Sequence, residues 1–372
     1  MTIRERFRDP ATQRWLRIGV FVLLFLFSIW APFYFAPFRV FQFTRVLIFA
    51  VAVLGLGLLT GFNGQISLGH GSFFAIGAYT AAVLMVKAGW PFLLVVPVAL
   101  VITFALGYGV GIPALRLHGL YLALVTLALA VVTPPILKRF SGLTGGAMGL
   151  TVPKPATPEW TGLAEDQFLY FVALIAAIIV FVLARNLINS RVGRALIAIR
   201  EDERAAETMG VNLAQYKTLA FAWSAMYAGL AGVLFTWTIG FVSPDSFTIV
   251  LSIELLAALV VGGLGSIWGP LVGATFLVFI PNVAEDINQA APGIAFGALL
   301  ILAMYVFPGG VAGVGRRFWG RLLAGGGATS GEIKVADAPR DQTGHTEETS
   351  TEPQSPGDEP VARSGHSEEG AP

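Results

Sequence analysis

Residues 46–86 contain no Asp, Glu, Lys or Arg, and that stretch decides which solvent the chain folds in. At about 1.5 Å per residue it makes roughly 60 Å of helix, twice the ~30 Å hydrocarbon thickness of a bilayer. It therefore reads as two crossings, divided at the turn-like Gly61-Phe62-Asn63-Gly64-Gln65. The rest of the chain agrees. Of its 372 residues 55% are hydrophobic and 13% charged, where a soluble domain carries roughly a quarter charged residues. The mean hydropathy of +0.72 argues against a soluble enzyme.

Residues 18–38, 88–115, 117–137, 167–184 and 218–244 each suit one further crossing. Between 246 and 284 the only charge is Glu254, and this run has the length of two helices separated by Gly262-Gly263-Leu264-Gly265-Ser266. Residues 287–307 supply the last. The expected fold is an all-α polytopic membrane protein with about ten transmembrane helices, within a range of eight to ten. Short helices beside the glycine turns are candidates for re-entrant segments.

Lys and Arg accumulate on the cytoplasmic side of membrane proteins. Ten crossings place 15 basic residues on the side of the termini and 6 in the loops of the other side (Arg39, Arg45, Lys87, Lys138, Arg139 and Lys154), so both termini are expected in the cytoplasm. The first apolar stretch is long and followed by many more, and reads as a retained span rather than a signal peptide. Three regions follow: a basic N-terminus (1–17), a membrane domain (18–321) and a tail (322–372). The tail holds 3 basic and 10 acidic side chains and almost no large apolar ones, so it is expected to be disordered and solvated. Its His345 and His366 are too isolated for a metal site.

Two loops are more than connectors by length. The outer loop 138–166 is rich in Gly and Pro and is long enough to offer a surface, although a plain connection explains it equally well. The inner segment 185–217 has apolar Leu196, Ile197 and Ile199, then the charge cluster Arg200 to Arg204, then a stop at Gly210. That pattern predicts one or two short cytoplasmic helices closed by a glycine cap, and a docking surface rather than a solvated turn.

Chemistry is mostly absent. None of the five lysines sits in a GxxxxGK[ST] phosphate loop, so nucleotide hydrolysis is not expected of this chain. There is no cysteine, HExxH or dinucleotide fingerprint, and no concentrated basic face for nucleic acid. No catalytic residue, metal or cofactor is expected. What remains is transport, a channel or an intramembrane scaffold. Glu254 and His70 are the ionisable groups inside apolar runs, and each serves either a pathway or a helix-packing hydrogen bond. The two glycine breaks, with Gly61, Gly64, Gly262, Gly263 and Gly265, point to a solute pathway, because backbone freed from helix must be buried in protein or line a cavity. Glycines spaced by four, at Gly57/Gly61, Gly107/Gly111, Gly265/Gly269, Gly269/Gly273 and Gly293/Gly297, also serve close helix packing.

Five separated segments, GFNGQISLGHGSFFAIGAYTAA, LRLHGLYLALVTLALA, TGGAMGL, SRVGRALIAIREDERAAETMGVNLAQYKTLAFAWSAMYAGLAG and ELLAALVVGGLGSIWGPLVGA, resemble the permeases of branched-chain amino acid ATP-binding cassette importers, the LivM type, over about residues 40–315. The resemblance implies the importer permease fold in the inner (plasma) membrane of a prokaryote. It also implies a second, LivH-like permease, two cytoplasmic ATPase subunits and an extracytoplasmic solute-binding protein as partners. A coupling segment would map onto residues 190–212, with Arg191, Gly193, Arg194, Arg200, Glu203, Ala205, Ala206 and Gly210 as its principal positions. Here the order is ERAAETMG, with Arg204 between Glu203 and the two alanines, a departure from the family's pattern. Leucine, isoleucine or valine would pass between the permeases, with Asn63, Gln65, Ser67, His70 and Glu254 as pathway contacts. The same architecture carrying urea, amides or other amino acids, and a stand-alone secondary carrier, are the alternatives.

Overall fold

A computed structural model of the chain describes residues 26–115, 117 and 119–287, with isolated positions 19, 297, 298, 301, 302, 305, 310 and 313. The chain divides into units Met1–Gly326 and Gly327–Pro372, and everything below concerns the first. The basic N-terminus, the tenth expected crossing apart from scattered positions, and the tail lie outside the described residues; the first crossing is described from residue 26.

The protein is an all-α polytopic membrane protein. Residues 26–34 are helical. Then follow α1 (Pro37–Leu56), α2 (His70–Val86), α3 (Phe92–Ala114), α4 (Leu120–Arg139), α5 (Glu165–Asn189), α6 (Arg191–Glu201), α7 (Glu203–Thr208), α8 (Leu213–Ile239), α9 (Ile249–Gly262) and α10 (Gly269–Ile287). Five stretches are long and apolar enough to cross a bilayer: Pro37–Phe62, Phe92–Pro113, Tyr121–Arg139, Glu165–Asn189 and Leu213–Ile239. The helices next to the glycine breaks are shorter. With 17 residues in α2 and 14 in α9 they extend about 25 and 21 Å, less than the ~30 Å core. All eight crossings expected between residues 46 and 284 thus correspond to apolar helices, three of them short.

Helix α8 is the centre of the packing. It lies against α3, α2 and α1, and 78% of its apolar window is buried, as is 83% of that of α1. For α3 and α4 the buried share falls to 22% and 33%, so these helices turn most of their apolar surface outward. Close approach, rather than a hydrophobic drive that lipid would cancel, holds such helices together. A Cβ on Gly77 of α2 would overlap the carbonyl of Gly229 on α8, and one on Gly232 would overlap that of Phe74. Gly107 and Gly111 of α3 meet Ala225 and Thr218 of α8, and Gly273 of α10 meets Ala258 of α9, so two of the four-residue spacings serve packing.

Three boundaries differ from the sequence reading. Arg45, taken as an outer-loop charge, lies inside α1, because the chain enters the helix at Pro37, a residue suited to a first turn. The crossing expected over 218–244 begins at Leu213, where the Asn212 side chain accepts the Gln215 N–H, and ends before Gly240 in the left-handed region. In the inner segment 185–217, Arg185 and Lys217 therefore belong to flanking helices, and only residues 190–212 stand outside them. The outer loop 138–166 is structured. Leu150 and Thr151 pair antiparallel with Val242 and Phe241, and Lys138 and Lys154 form ion pairs with Asp245 (2.6 Å) and Glu165 (3.0 Å).

Gly77→Val should force α2 off α8 and cost at least the roughly 1–3 kcal/mol typical of overpacking. Gly142→Ala, where a Cβ has nothing within 4 Å, should leave thermal unfolding in detergent unchanged.

Candidate functional site

At the end of α1 the helix does not stop cleanly. It widens into a π-helical turn, Gly57–Phe62, and then runs as non-helical backbone to His70. The freed groups are caught locally and by distant hydroxyls. Thr60 Oγ1 donates to the Gln65 carbonyl (3.0 Å), Leu68 N donates to Thr126 Oγ1 (2.9 Å), and Gly71 N donates to Ser252 Oγ (3.0 Å). The second break is tighter. Gly262 closes α9, Gly263 and Gly265 take positive φ (108° and 74°), and Ser266 Oγ accepts the first N–H of α10 (3.2 Å).

The two breaks meet. A Cβ on Gly61 would stand 2.8 Å from the backbone nitrogen of Gly265, so only glycine permits the contact. Into this junction reaches Arg200, the penultimate residue of α6. Its Nη1 donates to the Gly61 carbonyl (2.7 Å), its Nη2 pairs with Glu201 (2.8 Å), and its stem lies so close to Gly64 that a Cβ there would come within 2.9 Å of Cγ. Gly64 also has φ +76°, which L side chains rarely adopt.

Helices α6 and α7 form a compact elbow on this face. Ser190 caps α6, its hydroxyl accepting from Val192 N (3.2 Å), and Asp202 caps α7 by accepting from the N–H groups of Arg204 and Ala205 (2.9 and 3.0 Å). Gly193 is pressed onto the Ile188 backbone, where a side chain would not fit. Leu196, Ile199 and Ala206 face inward. Glu203 reaches Lys217, a lysine buried near the start of α8, at 2.6 Å. Arg191, Arg194, Ala205 and Gly210 are exposed, and beside them Met209 is 86% exposed. The positions expected to couple thus divide into an outer face, an inner packing face, and two bridges, Arg200 and Glu203.

The expected pathway residues also divide. Asn63 and Gln65 are buried beside the Arg200 junction, and the Asn63 amide and Gln65 Oε1 have no hydrogen-bond partner among the described residues. Ser67 is buried and accepts from Gly69 N (3.4 Å). His70 is engaged on both ring nitrogens, Nε2 with the Ala52 carbonyl (3.1 Å) and Nδ1 with Ser224 Oγ (3.5 Å), which joins α2 to α1 and α8. Glu254 is elsewhere. It shares a cavity of about 260 Å³ with Arg45, Phe49, Phe74, Phe235 and Phe247. Thr126, Ser224, Ser252 and Lys217 were not singled out in the sequence; for the hydroxyls the only available signal was a polar atom within an apolar run. Among the described residues no three His, Cys, Asp or Glu side chains gather as metal ligands do.

Residues 39–312 match the family model described as branched-chain amino acid transport system / permease component. The chain is 35% identical over 312 residues to the high-affinity branched-chain amino acid transport system permease protein LivM of Escherichia coli K12, covering 78% of this chain and 72% of that one. It is 28% identical over 285 residues to LivH of the same organism (71% and 91% covered), and 26% identical over 311 residues to the ribose import permease RbsC of Haemophilus influenzae (77% and 90%). No solved structure matches.

Removing the buried partner of Glu203 by Lys217→Met should cost about 1–3 kcal/mol of stability, and the double variant with Glu203→Gln should recover part of it in a double-mutant cycle.

Proposed function

The chain belongs to the family of branched-chain amino acid transport permease components, and from that premise we propose that it forms one half of the conduit of an ATP-driven importer for leucine, isoleucine and valine. A second, LivH-like permease would supply the other half. Two ATPase subunits would bind the cytoplasmic face of α6 and α7, and a solute-binding protein would dock outside. The cargo is taken from the names of the more similar relatives, since RbsC, which shares the likeness at lower identity, is named for ribose.

The observation that carries this reading is the bond from Arg200 to the Gly61 carbonyl. It connects an exposed helical elbow, suited to a partner protein, with the contact between the two glycine breaks inside the membrane domain. In the proposed cycle, ATP closes the ATPase dimer and moves α6 and α7. Arg200 then pulls on the end of α1, and Glu203 on the start of α8. A helix ending in a π turn and irregular backbone yields at that point, because fewer regular hydrogen bonds hold it. Motion of the elbow becomes opening or closing at the junction, with Asn63 and Gln65 beside it. Both termini and the elbow are placed in the cytoplasm, following the distribution of Lys and Arg.

In proteoliposomes holding the permease pair, ATPases and binding protein, leucine uptake should require ATP. Arg200→Gln should reduce uptake at least tenfold while the complex still hydrolyses ATP, and Gly210→Val should weaken ATPase association through its positive φ of 82°. Ionophore-sensitive uptake by this chain alone, or labelling of Met209 from the outer face, would overturn the reading.

A further inference from the structure

We propose that the cavity shared by Arg45 and Glu254 is a binding station for the zwitterion of a single apolar α-amino acid, on the outer side of the glycine junction. The proposal rests on the transport reading above and assigns the substrate a place within this chain. Arg45 comes from α1 and Glu254 from α9, and both line the cavity. Glu254 is the sixth residue of α9, an ionisable group within an apolar run, where such residues usually face a cavity or a partner rather than lipid. A free amino acid carries a carboxylate and an ammonium on the same carbon. A cation and an anion facing one small cavity complement both: the Arg45 fork donates to the carboxylate, and Glu254 accepts from the ammonium. The Arg45 guanidinium has five N–H donors, enough to hold a protein partner and a substrate carboxylate together.

The remaining wall is mostly aromatic and aliphatic. Phe74 lies 6.2 Å from Phe49, 5.5 Å from Phe235 and 6.0 Å from Phe247 between ring centroids, Val250 and Leu251 add aliphatic surface, and Ser246 and Thr248 add two hydroxyl residues at the outer end. The aromatic and aliphatic part suits a branched hydrocarbon side chain, and the charged and hydroxyl groups suit the polar end of an amino acid. The volume of about 260 Å³ lies below the roughly 300–1,000 Å³ typical of drug-sized ligands, which favours one amino acid and excludes a peptide. The position also fits a transport sequence. Ser246, Thr248 and the first turns of α9 are at the same end of the domain as the loop held by Lys138 and Asp245, whereas Gly61, Gly265 and Arg200 are at the opposite end of α1 and α9. A bound amino acid would rest outside the junction until Arg200 moves.

The test uses the complete transporter in proteoliposomes, with L-leucine as the probe. Arg45→Gln and Glu254→Gln should each raise the leucine concentration for half-maximal uptake at least tenfold, and Phe235→Trp, which fills the cavity without touching a charge, should do the same. 4-Methylpentanoate and isoamylamine, each lacking one charged group of leucine, should compete at least tenfold more weakly than isoleucine. Charge variants that assemble and transport leucine with wild-type concentration dependence would overturn the station and leave the transport reading intact. If the charge variants fail to assemble, Phe235→Trp decides: unchanged uptake overturns the proposal. Wild-type transporter showing no ATP-driven uptake of any amino acid would instead remove the transport reading on which the station rests.

Discussion

In hydrocarbon, a backbone carbonyl released from its helix finds no water, and every architecture that interrupts a membrane helix must supply a substitute partner. Here the interruption is at the end of α1, and the substitute for the Gly61 carbonyl is the guanidinium of Arg200, carried on a helix outside the membrane core. The rest of the arrangement follows from this bond. Because the carbonyl must be reached, the neighbouring residue is a glycine at positive φ that leaves room for the arginine stem. Because the second break passes close beside the first, Gly61 and Gly265 carry no side chains at the contact. A charged residue that the sequence assigns to a docking surface is therefore also part of the core's hydrogen-bond inventory.

The membrane domain uses two different kinds of cohesion. Between α2, α3 and α8 the contacts are short and made by glycine, alanine and threonine, and their strength comes from backbone proximity. Around the outer cavity they are made by phenylalanine rings, with larger spacings and a void between them. The first kind leaves no room for a side chain at the contact, whereas the second leaves a cavity of about 260 Å³.

Much of this was legible in the sequence. Uncharged length counted the interior crossings, since in lipid nothing but helix satisfies a 41-residue apolar run. The glycine clusters marked both breaks, and Leu196, Ile199 and Gly210 announced the pair of short helices. Other features depend on tertiary contact. Gly61 and Gly265 meet across most of the chain, and no local pattern records it. Arg45 reads as a loop residue because charge is the usual sign of a loop, yet it sits in α1 with its guanidinium carbon 5.7 Å from the Phe49 ring. The reach of Arg200 is illegible for the same reason: its side chain lies in a charge cluster, and only the fold shows that it alone of those residues turns inward to the break. His70 was visible as an ionisable group within a span, and the fold adds its two partners on α1 and α8.

Helix α8 has 27 residues and extends for about 40 Å. Near its start it is fastened to the elbow by Lys217 and Glu203, and three residues beyond its last residue, Ile239, Val242 is paired with Leu150 of the loop 138–166. One continuous helix thus bridges the paired loop at one end and the elbow at the other, so a tilt of that helix displaces both surfaces together.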